Sequence, residues 1–183
     1  MEPVTTLPRG RALRAPDLEA LPDDGHRYEL VSGTLVVTPA PSHLHQRAVL
    51  ELAVALRARC PGDLEVLVAP FEVRLDEHTS LQPDVLVARA ADLTSARLPV
   101  APRLAVEVAS PSTRLVDLNL KKARLEAAGC PAYWVIDPEE PSLIAWELTA
   151  AGRYTTVADV RGDEAFEARS PIEVTIIPRR LVK

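Results

Sequence analysis

Apolar residues recur along this chain with two periods, and the switches between them mark out its elements. Tyr28-Glu-Leu-Val31 and Thr34-Leu-Val-Val-Thr38 are β-prone runs separated by Ser32-Gly33, which predicts a hairpin with a two-residue connection. From Ser42, a good N-cap, Leu44, Ala48, Leu52 and Leu56 fall on one helical face with Val49 beside them. That helix runs to about Arg59 and stops at Pro61-Gly62. Three strands follow: Leu64 to Arg74, interrupted at Pro70; Asp84 to Ala88; and Leu104 to Val108. The second is nearly all apolar, as a strand buried on both faces must be. A second helix spans roughly Asp117 to Ala128, ending at Gly129 with Pro131 beyond. Tyr133-Trp-Val-Ile136 is another buried strand, and the tail adds strand-like runs at Leu143–Leu148, Tyr154–Val157 and Glu173–Ile177. Near the start, Pro16–Leu21 reads as one or two helical turns stopped by Pro22-Asp-Asp-Gly25.

Strands mixed with helices predict an α/β domain: a central mixed sheet flanked by helices, with added hairpins at both ends. The strand after the second helix should lie parallel to its partner. No repeat or linker divides the chain. The organisation expected is an N-terminal arm and short helix over residues 1–27, loose and Pro-rich up to about residue 14, and one domain over 28–183.

Composition narrows the function. The net charge is −5, from 21 basic and 26 acidic residues. That argues against a protein that coats nucleic acid by charge alone, though it leaves room for a carboxylate-based metal site. Cys60 and Cys130 do not space like zinc ligands and read as two small buried thiols, reduced in the cytoplasm. Met1 to Arg14 has no apolar run, and no stretch reaches the roughly 20 apolar residues of a membrane span. A cytoplasmic protein without membrane contact is expected. Gly-rich phosphate loops, nucleophile elbows and HExxH helices are all missing from the sequence.

Four places carry candidate chemistry. In Gln82-Pro83-Asp84 a carboxylate sits at the mouth of an apolar strand; taken alone, it is an ordinary solvated strand start. Glu107 lies in Leu104-Ala-Val-Glu-Val108, where alternation puts Leu104, Val106 and Val108 on one face and Ala105, Glu107 and Ala109 on the other. A glutamate there is costly to bury unless it is paired or binds a cation. The bland alternative is an edge strand with Glu107 in water. Lys121 and Lys122 flank the line from Leu118 to Leu125 about equally, so helical phase does not choose between them, and two snorkelling surface lysines are the default. His45, at the edge of the first helix's stripe, and Glu29, in the first hairpin, are compatible with structural or functional roles. His26, His43 and His78 are assigned nothing, and Asp137-Pro-Glu-Glu140 reads as a solvated turn.

In their order and spacing these pieces resemble the PD-(D/E)XK nuclease superfamily, and within it the bacterial Uma-type endonucleases. The matching segments are Tyr28-Glu-Leu-Val-Ser-Gly33, His45-Gln46, Gln82-Pro-Asp-Val85, Val106-Glu-Val-Ala-Ser-Pro-Ser-Thr113, Asp117 with Lys121, and Gly129-Cys-Pro-Ala-Tyr-Trp-Val-Ile-Asp137. The superfamily's third motif reads acid, any residue, lysine; here it reads Glu107-Val108-Ala109. In the Uma-type group the lysine comes from the following helix, and spacing selects Lys121. The aromatic residue usual four positions later is Leu125 here.

The resemblance implies a restriction-endonuclease-like fold and a metal-dependent endonuclease cutting DNA. Asp84 and Glu107 would bind one or two Mg²⁺, or Mn²⁺, on the same side of the sheet, their carboxylates about 4–6 Å apart. Lys121 would orient water or offset charge. Glu29, His45 and Gln82 would support these groups or face substrate. A homodimer is expected, since two-fold dimers are the commonest assembly and two sites suit two strands. Two other readings keep the fold: a scaffold or nucleic-acid-binding protein without catalysis, and a metal hydrolase of small phosphorylated molecules. The inward lysine is expected to contribute little to the core, so that its loss leaves the fold intact, and the outward one to be exposed and mobile.

Overall fold

The computed structural model describes residues 10–111 and 113–183. Residues 1–9, the greater part of the expected arm, and Ser112 lie outside the described residues. Residues 10–14 are not loose. Leu13 is buried, its amide donates to the Gly33 carbonyl (3.0 Å), and its own carbonyl meets His78 Nδ1 (2.7 Å).

Helix α1 covers Ala15–Glu19. Strands β1 (Arg27–Val31) and β2 (Thr34–Thr38) form the predicted hairpin, in register from Arg27↔Thr38 to Val31↔Thr34. Its turn needs two residues with positive φ; Ser32 (53°) and Gly33 (76°) supply them. Helix α2 (His43–Arg57) is capped by the Ser42 side chain, which accepts from the His45 amide (3.2 Å). The expected strand from Leu64 to Arg74 is two strands on two different sheets. β3 (Leu64–Val68) pairs with β6 (Val85–Arg89), whereas β4 (Glu72–Asp76) pairs with β5 (Thr79–Leu81) and β7 (Arg97–Leu98). β5 and β7 have only three and two residues, too short for a periodic signal.

Strands β8 (Leu104–Val108), β9 (Ala132–Asp137), β10 (Ser142–Leu148) and β11 (Tyr154–Arg161) complete a six-stranded sheet in the order β11-β10-β9-β8-β6-β3. β8 and β9 are parallel, with the second helical segment between them in sequence; every other pair within this sheet is antiparallel. The second sheet runs β2-β1-β5-β4-β7. In the tail, β12 (Phe166–Ala168) and β13 (Val174–Ile176) form a two-stranded sheet that, among the described residues, pairs with no other strand.

Alternation along β8 decides what lies on each side of the large sheet. Leu104, Val106 and Val108 pack with Ala48, Leu52 and Leu56 of α2 and with Trp134 and Ile136 of β9. Ala105 and Ala109 pack with Leu125, Tyr133, Trp146 and, from the smaller sheet, Val31 and Leu81. β8 is central and all five of its residues are buried, so the edge-strand alternative for Glu107 does not hold. Burying a side chain such as Leu52 contributes about 1.5–3 kcal/mol, which is why α2 stays on its face. The other face carries the polar cluster.

The second helix differs from its expected form. Residues Val116–Lys121 are a π-helix, continued by α3 (Lys122–Ala127). Its buried line is Asp117, Lys121, Leu125, while Leu118 is only half-buried. Wide π turns change the angular step per residue, and π segments recur at functional sites. Cys60 and Cys130 are both free thiols; burial pushes Cys130 up to about 11. Among the described residues, no helix is long and apolar enough to cross a membrane.

Candidate active site

Asp84 precedes β6, and extending the β6–β8 register (Val85↔Val106) by one step puts it opposite Glu107. Directly opposed residues of an antiparallel pair project to the same face. Both carboxylates are buried, at 2% and 1% exposure, and both line the base of a cleft of about 730 Å³. Asp84 Oδ2 accepts the Val108 amide (2.8 Å) and meets His45 Nε2 (3.1 Å). Oδ1 accepts from Arg27 Nη1 (2.7 Å), which also reaches the Gln82 carbonyl (3.3 Å).

Lys121 turns toward the carboxylates and Lys122 away. Lys121 Nζ lies 2.9 Å from Glu29 Oε2, 3.1 Å from Glu107 Oε1 and 3.5 Å from Asp117 Oδ1. Glu29 is fully buried and its other oxygen accepts the Gln82 amide (2.8 Å), so β1 of the small sheet is tied to the strand entry that carries Asp84. His45 and Gln82 are half-buried in the lining of the cleft. Lys122 is not free in solvent: its ammonium sits 4.4 Å from the centre of the Trp146 ring, a cation–π contact. Nor is Lys121 a snorkelling side chain; it is 2% exposed and faces three acidic groups, so its removal leaves them without their shared cation.

One member of the cluster, Arg27, was not singled out by sequence, and Asp117 was named only beside Lys121, with no role of its own. Arg27 lies in a polar stretch, at the first position of β1, with nothing local to mark it. Asp117 and Lys121 stand four apart, which is a visible signal for a helical ion pair, but the pair takes meaning only from the carboxylates of other elements.

The two central carboxylates respond oppositely to this setting. Asp84 resists burial, and the hydrogen bond from His45 and the charge of Arg27 overcome that cost and lower it to about 2. Burial dominates at Glu107, and Asp117, Asp84 and Glu29 add repulsion, so it is raised well above the usual carboxylate range despite Lys121. Asp117 is raised for the same first reason, burial. Lys121 is raised: three carboxylates outweigh its desolvation.

Four acidic groups (Glu29, Asp84, Glu107, Asp117) thus crowd around two strong cations (Arg27, Lys121), and that crowding is part of what makes Glu107 hold its proton more tightly. Asp117 Oδ1 is buried with no hydrogen-bond partner. Among the described residues, no three His, Cys, Asp or Glu side chains converge as a ready-made metal cage. A magnesium site does not require one, since Mg²⁺ is held by one or two carboxylates with water or substrate oxygens completing its shell. The donor set, hard carboxylate oxygens, fits such an ion at Asp84 and Glu107. Six carboxylates, among them Glu19, Asp23, Glu72 and Glu139, line the cleft against two arginines, Arg27 and Arg74.

A family model described as "Uma2: Putative restriction endonuclease" matches residues 15–177. No curated protein matches the chain. Among solved structures, the chain is similar to "a putative nuclease belonging to DUF820" from Anabaena variabilis. The two share 16% identity over 93% of this chain and 97% of that one, with a TM-score of 0.74. At that identity the likeness shows the fold alone.

Proposed function

Because the chain belongs to the Uma2 family of restriction-endonuclease-like proteins, we propose that it is a metal-dependent endonuclease hydrolysing DNA phosphodiester bonds, with Asp84, Glu107 and Lys121 as its catalytic residues. The observation that carries this reading is the pair of buried acids, Asp84 and Glu107, opposite each other at the base of an open cleft, backed by Glu29 and Asp117 in a cluster where four acidic groups meet two cations. Acids crowded in this way are costly to ionise unless a further cation offsets them.

Asp84 and Glu107 would hold Mg²⁺ or Mn²⁺. A bound divalent ion supplies activation of water and stabilisation of charge at the phosphoryl group. Asp84 is kept ionised by Arg27 and His45 and is ready to bind a cation at neutral pH. Glu107, raised by burial, would be held in its ionised form by a cation bound beside it. Lys121 is fixed by Glu29 and Asp117 with its ammonium beside Glu107, where it orients water or offsets negative charge as the reaction proceeds. His45 and Gln82 hold Asp84 and the strand entry in place. We place the protein in the cytoplasm.

A second reading, hydrolysis of a small phosphorylated substrate, is favoured by the cleft's charge: six carboxylates and two arginines make a poor groove for a polyanionic duplex. One experiment separates the two. Plasmid DNA, single-stranded oligonucleotide and a small phosphodiester ester are incubated with Mg²⁺ or Mn²⁺, beside an Asp84→Ala variant. Metal-dependent cutting of DNA that the variant lacks supports the endonuclease. Turnover of the ester alone supports the second reading. Intact substrates throughout sink both and leave a catalytically silent scaffold.

A further inference from the structure

We propose that Arg27 is a two-position residue, which rests on the metal-dependent reading above: it occupies Asp84 while the protein is metal-free, is displaced when a divalent cation binds there, and then binds a phosphate oxygen of the substrate. The partners of Asp84 are unequal. Oδ2 is fixed by the Val108 amide of the central strand and by His45. Oδ1 is held by Arg27. A cation that takes Asp84 while leaving the Val108 and His45 hydrogen bonds in place therefore enters at Oδ1, where the guanidinium sits.

Arg27 is also placed to leave. Its bond to Asp84 is made by Nη1 alone, which it shares with the Gln82 carbonyl, in place of the two-pronged fork an arginine makes with a carboxylate when the pair is built to last. Nη1 thus lies between two hard oxygens, the kind a divalent ion takes. Nε is buried without a hydrogen-bond partner and stands 3.9 Å from Glu29. The side chain is 19% exposed and lines the cleft, so a short swing brings it into open space and not into the core. Once there it is one of two arginines in an acidic cleft, and its planar fork matches a phosphate.

The test uses the full chain and Ca²⁺, which occupies oxygen sites. Calorimetry measures Ca²⁺ binding to the unaltered protein, Arg27→Ala and Arg27→Gln. Removing a positive charge from the entry point should tighten binding, by about tenfold for either variant. In the unaltered protein, phenylglyoxal labelling of Arg27, followed by mass spectrometry, should rise on adding Ca²⁺. It should fall again on adding a short oligonucleotide. This second measurement stands even if a variant fails to fold. Unchanged or weaker Ca²⁺ binding in folded variants, or labelling indifferent to Ca²⁺, overturns the two-position role and leaves the nuclease reading intact. No Ca²⁺ binding by any form overturns both.

Discussion

Opposite shifts at two neighbouring carboxylates set the pH behaviour of the site. Asp84 is depressed, so its contribution to stability is fully present above the ordinary carboxylate range and is lost as pH falls toward about 2. Glu107 is raised, so the sign reverses: its folded form favours the proton, and stability declines as pH rises from the ordinary carboxylate value toward the raised one. Glu107→Gln is therefore expected to raise the metal-free melting temperature at pH 7, with the gap over the unaltered protein closing toward pH 4. A variant melting lower at pH 7 would show that Lys121 needs the ionised glutamate. Lys121→Ala acts the other way. It leaves Glu29, Glu107 and Asp117 without their cation and is expected to cost about 3–5 kcal/mol in urea unfolding, as breaking a buried ion pair does, together with activity. A loss below about 1 kcal/mol would place Lys121 among weakly coupled surface pairs.

At the scale of elements, the π segment brings Asp117 and Lys121 onto one buried line with Leu125. Tyr133, at 0% exposure on β9, donates its hydroxyl to the Asp117 carbonyl (2.9 Å) and so ties this helix to the sheet. Tyr133→Phe should cost about 1 kcal/mol, or about 2–4 °C in Tm for a chain of this size, and should lower kcat by loosening Lys121. Unchanged kcat with the expected loss of stability would make the bond structural only. The first hairpin is a second anchor, since it carries both Arg27 and Glu29. Gly33 takes φ 76°, and a Cβ there would lie 2.6 Å from Ala12 Cβ. Gly33→Ala is expected to destabilise by about 1–3 kcal/mol through backbone strain, read as a lower denaturant midpoint; a neutral result would mean that residues 12–13 move aside freely.

On the scale of the molecule, two sheets meet over the cluster: the larger supplies Asp84 and Glu107, the smaller Arg27 and Glu29, and the helix between β8 and β9 supplies Lys121. The cleft opens where they meet. A two-fold dimer remains our expectation, since cutting two strands is served by two sites. Leu50 and Val54, one turn apart on the outer face of α2, are 61% and 57% exposed and offer an apolar contact away from the cleft. Light scattering at micromolar concentration should give twice the chain mass, and Leu50→Glu should halve it if α2 forms the contact. A monomer at that concentration would refute the dimer.

The hairpin, α2, β6, β8 and β9 were legible in the sequence because each is long enough for its apolar period to show and each is bounded by a turn or cap residue. The same periodicity put Glu107 on a face of β8 opposite Leu104 and Val106, and the oddness of a glutamate there marked it as a candidate. Elsewhere local pattern ran out. The Leu64–Arg74 run reads as one strand because apolarity does not record which sheet a strand joins, and β5 and β7 are too short to have a period. Helical phase left Lys121 and Lys122 level because it assumes a uniform step that the π segment does not keep. Family spacing named Lys121; tertiary contact with Glu29, Glu107 and Asp117 is what buries it. Arg27 had no local signal at all. Its meaning comes from Asp84, 57 residues away, and a charge pairing between sheets is a property of the fold, since only the folded chain brings the partners close enough, and dry enough, for their charges to matter.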